Sequence, residues 1–87
     1  MRLIEATSLV SLEVQPKSFT EVQDLVGGLV EFVYLPDDML LAVHEEGLYV
    51  NEPILNLLVK RHFGVDVVGT CVLGTSKEFD ELPYVLN

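Results

Sequence analysis

The sequence predicts a small α+β domain: a mostly antiparallel sheet with two short helices on one face, in the order β-β-α-β-β-α-β. Three observations carry that prediction. Short apolar runs with period-two alternation recur along the chain. Two of those runs flank the corner Pro36-Asp37-Asp38, a group that favours a tight turn. Two stretches with helical spacing are bounded by capping residues at the start and glycine at the end. At 87 residues the chain has the size of one domain, spanning 1–87.

The elements follow in order. "RLIE" and "LVSLEVQP" read as strands about a turn at Ala6-Thr7-Ser8. Val10, Leu12 and Val14 alternate with Ser11, Glu13 and Gln15, the pattern of a half-buried strand. Pro16 ends it, because proline cannot donate to a ladder. In "KSFTEVQDLVGG" Ser18 caps a helix and Glu21, three residues on, completes a capping box, with Thr20 and Gln23 as the alternative pair. Phe19, Val22, Leu25 and Val26 form its apolar stripe, and Gly27 supplies a left-handed stop. A phosphate-binding glycine loop follows a strand and opens a helix. Here the glycines close a helix and open a strand, so the pair reads as a stop signal.

"LVEFVYL" and "MLLAVH" make a hairpin. The first is apolar at nearly every position, which predicts cover on both faces. Glu31 is its exception and belongs at an exposed edge or in an ion pair. "EEGLYVN" turns at Gly47. "NEPILNLLVKRHFG" is the second helix, with Asn51 as cap and Glu52 and Pro53 in the first turn. Ile54, Leu55, Leu58 and Val59 line its buried side, and Gly64 ends it. "VDVVGTCVLG" is a closing buried strand in which Gly69 suggests a bulge. Residues 74–87 form a tail whose Phe79, Leu82, Tyr84 and Val85 are expected on a neighbouring chain.

Nearly half the residues, 49%, are hydrophobic and the mean hydropathy is +0.39. A chain this short buries only about 60% of its unfolded surface, so a homo-oligomer is expected. No apolar run approaches the roughly 20 residues of a membrane span, so no membrane association is expected. "MRLIEATS" is a poor secretory signal, and the expected compartment is the cytoplasm. Fourteen acidic residues against five basic ones give a formal charge of −9. Counterion release works against such a chain, so duplex nucleic acid is excluded as a partner. The acidic surface suits a basic protein partner or simply keeps an apolar protein soluble.

Catalytic and metal chemistry find little support. Cys71 is the only cysteine and sits in an apolar run, as a buried inert thiol does. His44, Glu45 and Glu46 are adjacent, but strand neighbours point to opposite faces. Asp37-Asp38 lacks the spacing of a calcium loop. No serine stands in a nucleophile motif. We therefore expect no enzyme, no metal and no cofactor. The informative polar feature is Lys60-Arg61-His62. Arg61 can clamp a phosphate while Tyr34 or Phe63 stacks on a base. Asn51 is a weaker candidate for a ribose or base contact. The same cluster is also what a helix C-terminus favours through its dipole.

Pro16, Lys17, Phe19, Thr20, Val26, Gly27, Gly28, Glu31, Glu45, Glu46 and Gly47, with the later "DVVGTCVL", resemble a small phage- and prophage-associated family known only as a domain of unknown function. Its pattern is a Pro-Lys…Phe-Thr lead-in, a helix ending Val-Gly-Gly, hydrophobic-Glu-hydrophobic, and an Asn-Glu-Glu-Gly turn. His44 replaces the usual Asn. The Pro-x-Asn-x-x-Ala-Thr segment appears as "PILNLLV", with Asn56 one place late and no Thr. The resemblance implies a host–virus context. The expectation that follows is an anti-defence sponge that sequesters a small nucleotide-type signal, with Lys60, Arg61 and His62 on its phosphate. The alternative is an acidic inhibitor of a host defence protein, with Glu45 and Glu46 at the contact.

Overall fold

The structure, a computed structural model, describes residues 1–46 and 54–85. The elements run β1 (Arg2–Ile4), β2 (Leu12–Glu13), α1 (Phe19–Val26), β3 (Val30–Leu35), β4 (Met39–His44), α2 (Leu57–Phe63), β5 (Cys71–Thr75) and α3 (Ser76–Asp80). The five strands form one sheet in the order β2-β1-β5-β4-β3, with every neighbouring pair antiparallel. The domain is therefore α+β with an antiparallel sheet, as its sequence predicts. Two features of the prediction need correction: a third helix follows β5, and the helices cover both faces of the sheet.

The two faces follow from strand parity. Val22 and Val26 of α1 and Phe79 of α3 pack on Leu40, Ala42 and Val72, with Val30 and Phe32 at the margin. On the opposite face Val59 of α2, with Val67 from the loop that follows it, packs on Ile4, Leu41, Val43 and Cys71. β4 is the strand covered on both sides: Leu40, Leu41, Ala42 and Val43 are all buried. The two-sided apolar run is thus "MLLAVH". β3, whose sequence suggests the same, lies at the sheet edge with Glu31 exposed.

α1 begins and ends where its caps stand. The Glu21 N–H donates to Ser18 Oγ at 3.2 Å, while the Glu21 carboxylate accepts from the Lys17 N–H. Gly27 has φ 98°, and the N–H groups of Gly27 and Gly28 both donate to the Gln23 carbonyl. The β3–β4 corner places Asp37 at φ 62° and Asp38 at φ 58°. This is the left-handed pair that a tight hairpin requires and that Asp tolerates better than most residues.

Three predicted boundaries move. The first hairpin contracts to β1 and β2, and Leu9, Val10 and Leu12 are exposed. α2 starts at Leu57, capped by Asn56, whose Oδ1 accepts from the Val59 N–H at 3.2 Å. Residues 54–56 instead run antiparallel to 67–69, through the Leu55–Val68 bridge and the Asn56 N–H to Val67 carbonyl bond. Ile54 and Leu55 are accordingly exposed rather than on the buried side. β5 begins only at Cys71, past Gly69 at φ 77°. The expected cap Asn51 and the turn at Gly47 lie outside the described residues.

The tail folds back on its own chain. Thr75 and Glu78 form a capping box that starts α3, Phe79 is buried, and Leu82 packs beside it. Tyr84 stays exposed, though its carbonyl accepts from the N–H and Oγ1 of Thr20. Among the described residues no helix is long and apolar enough to cross a membrane.

Candidate functional site

α2 places Lys60, Arg61 and His62 in its last turn, all exposed, ahead of Gly64 at φ 70°. The Gly64 N–H donates to the Lys60 carbonyl. The cations thus sit at the negative end of the helix dipole, which favours them there. Their surroundings differ. Lys60 Nζ is 2.7 Å from Asp66 Oδ1 across the turn that ends the helix. The His62 ring is tilted against Phe63, with centroids 6.4 Å apart.

Arg61 and Lys60 border a groove of about 340 Å³ whose other walls are Leu9, Leu57 and Leu58. Leu9 is 74% exposed and Leu57 59% exposed. The groove therefore presents an apolar shelf beside a guanidinium. Such a pair accepts a flat apolar group on the shelf and an oxyanion on the fork of N–H donors. Sequence reasoning missed Leu9 and Leu57. Leu9 lies in a segment read as strand, and Leu57 opens the apolar run Leu57-Leu58-Val59, where spacing does not single out its exposure.

Tyr34 does not join this groove within one chain. It lies opposite Leu40 in the β3–β4 register, hence on the α1/α3 side of the sheet, whereas α2 is on the other. The Tyr34 side chain is 81% exposed. Asn51 falls among the residues not described. The structure thus gathers Lys60 and Arg61 with His62 beside them, and sets Tyr34 apart.

The remaining chemistry-bearing groups are structural in their contacts. Asn56 is fully buried and ties three segments together: Nδ2 donates to the Ile4 carbonyl at 3.0 Å and the Gly69 carbonyl at 2.9 Å. Cys71 lies beneath it, and burial pushes the thiol up to about 12, against a small opposing effect of the Asn56 side chain. His44 Nδ1 accepts from the Glu46 N–H at 3.0 Å, and Glu45 and Glu46 are exposed. Among the described residues no group of three or more His, Cys, Asp or Glu could hold a metal ion.

A second concavity, about 370 Å³, lies on the α1 side, with Val14, Pro16 and Leu25 beside Glu21 and Asp24. An adjoining one of about 310 Å³ adds Glu13, Glu78 and Glu81. The molecule is therefore polarised, with a cationic groove on one face and acidic hollows on the other.

The family model described as "Domain of unknown function (DUF3846)" matches residues 3–84, from within β1 to beyond α3. The chain belongs to this family. No curated protein and no solved structure matches it. In this DUF3846 domain the two faces of the sheet and the groove beside α2 all lie inside the matched span.

Proposed function

We propose that this DUF3846 domain is a phage-encoded, non-enzymatic binding protein that sequesters a small nucleotide-type immune signal in the bacterial host cytoplasm. The supporting observation is the Arg61 groove: a guanidinium and an ammonium beside the apolar shelf of Leu9, Leu57 and Leu58. A nucleotide has the matching chemistry, an anionic phosphate joined to a flat base. Arg61 supplies the bidentate contact and Lys60 adds charge, with His62 and Phe63 following them along α2. Tyr34, on the opposite side of the sheet, takes no part in this groove. The phage setting rests on the sequence resemblance. A resident nucleotide needs a locally positive pocket in a chain of net charge −9, and the α2 turn concentrates three of its basic or titratable side chains.

A second reading has its own support. The acidic hollows bordered by Glu13, Glu21, Asp24, Glu78 and Glu81 suit a basic surface on a host defence protein. Native mass spectrometry separates the two. The purified protein is incubated with cyclic dinucleotides and ADP-ribose derivatives, then heat-denatured and its supernatant examined. Integral ligand masses and release of intact nucleotide support sequestration. No adduct with any of these probes, together with a host polypeptide that co-purifies, overturns it in favour of the inhibitor.

A further inference from the structure

The sheet has two edges of different character. β2 is only two residues long, a length that offers little to a passing strand. β3 is six residues, "VEFVYL", without Pro or Lys, and among the described residues its only pairing is with β4. Such an edge is a template for another strand unless something guards it.

The hydrogen-bond phase of β3 is fixed by its hairpin. Val30 lies opposite His44, so Leu29 lies opposite Glu45, and the Glu45 N–H donates to the Leu29 carbonyl at 2.8 Å. Hydrogen-bonded pairs alternate along an antiparallel ladder. Glu31, Val33 and Leu35 therefore turn their peptide groups toward β4. Val30, Phe32 and Tyr34 turn theirs outward.

We propose that β3 pairs with β3 of a second copy about a twofold axis through Phe32, joining two sheets into one of ten strands. An axis perpendicular to the sheet keeps the two faces in phase only when opposed residues share parity. The three outward residues are all even-numbered and centred on Phe32, so the pairing closes on itself. Phe32 opposes Phe32, Val30 opposes Tyr34, and about six backbone hydrogen bonds form. The same register accounts for two exposed apolar side chains. Tyr34, 81% exposed, meets Val30 of the second copy, and Leu29, 63% exposed, meets Leu35. Glu31, the one charge on the strand, opposes Val33 and keeps its carboxylate on the surface. Two copies each of charge −9 repel, so added salt strengthens the dimer. The inference does not depend on what the Arg61 groove binds.

Sedimentation velocity over a range of concentration and salt tests it, with amide hydrogen exchange as the site-specific readout. The wild-type chain is expected at twice 9.7 kDa, with the dimer fraction rising with salt. Amides of Val30, Phe32 and Tyr34 are protected in the dimer and lose at least about tenfold of that protection on dilution, while Glu31 and Val33 keep theirs. Tyr34→Pro removes an outward N–H that serves no ladder bond among the described residues, and Tyr34→Lys charges the edge; both are expected as folded monomers. If Tyr34→Pro fails to fold, Tyr34→Lys decides. A wild-type monomer at the highest soluble concentration and high salt overturns the proposal. So does a dimer that survives in a folded edge variant.

Discussion

Lys60 Nζ stands 2.7 Å from Asp66 Oδ1, so the loop leaving α2 partly neutralises the cationic turn that the helix presents. Both side chains are largely exposed, and the pair adds little to stability. Its effect falls on ligand charge instead. Asp66→Asn frees Lys60 for an anion in the groove and is expected to tighten nucleotide binding about threefold, with the melting temperature nearly unchanged. Titration calorimetry of both forms checks this; equal or weaker binding by the variant contradicts it.

Asn56 is the residue on which the α2 side of the sheet converges. Replacing it with Ala removes the α2 cap and the amide donor to the Ile4 and Gly69 carbonyls. The cost is about 3 kcal/mol, which lowers the melting temperature by about 15 °C in a domain of this size. Thermal unfolding by circular dichroism measures it. A shift of only a few degrees would mean that water replaces the amide.

Gly28 is required for a different reason from Gly27. A Cβ at position 28 would stand 2.6 Å from Nε2 of His44. Gly28→Ala therefore displaces the imidazole and breaks its bond from the Glu46 N–H, at a cost of about 1 kcal/mol. His44→Asn shortens the side chain. The double variant is expected to be more stable than the sum of the single effects. Strict additivity in urea unfolding would refute the contact.

Cys71 makes stability depend on alkaline pH. Its thiol is pushed from 9.0 to about 12 in the fold, chiefly by burial. The unfolded chain releases this proton near 9.0 while the folded chain keeps it. Unfolding is thus favoured as pH rises through that window, by up to about 1.4 kcal/mol per unit. The contribution is complete below 9.0 and lost toward 12. Urea midpoints should fall more steeply with pH above 9.0 for the wild type than for Cys71→Ala. Parallel slopes would show that the thiol is not shielded.

The parts of the fold readable from sequence are those with local punctuation. Ser18, Gly27 and the Pro36-Asp37-Asp38 corner set α1 and the β3–β4 hairpin because each acts on its own backbone. α2 starts later than its sequence predicts, because Asn51-Glu52-Pro53 satisfies helix-start rules as well as Asn56 does. What decides for Asn56 is its bonding to Ile4 and Gly69, 52 and 13 residues away. The side of the sheet that each helix covers is equally non-local, since an apolar stripe says that a face is buried and not against what. α3, at five residues, is too short for periodicity, and only the Thr75–Glu78 box announces it. Of the candidate site, Lys60, Arg61 and His62 were legible as a basic turn. The shelf of Leu9 and Leu57 depends on the segment between β1 and β2 meeting α2, a non-local contact.

The most direct test of the central reading is nucleotide binding by Arg61→Ala and Arg61→Lys beside the wild type, with thermal unfolding in parallel. Arg61 is exposed, so its removal leaves the melting temperature unchanged. The wild type is expected to bind at least one cyclic dinucleotide or ADP-ribose derivative. That binding is expected to vanish in Arg61→Ala and to weaken in Arg61→Lys, which loses the bidentate fork. Undiminished affinity in Arg61→Ala would contradict a phosphate clamp at Arg61.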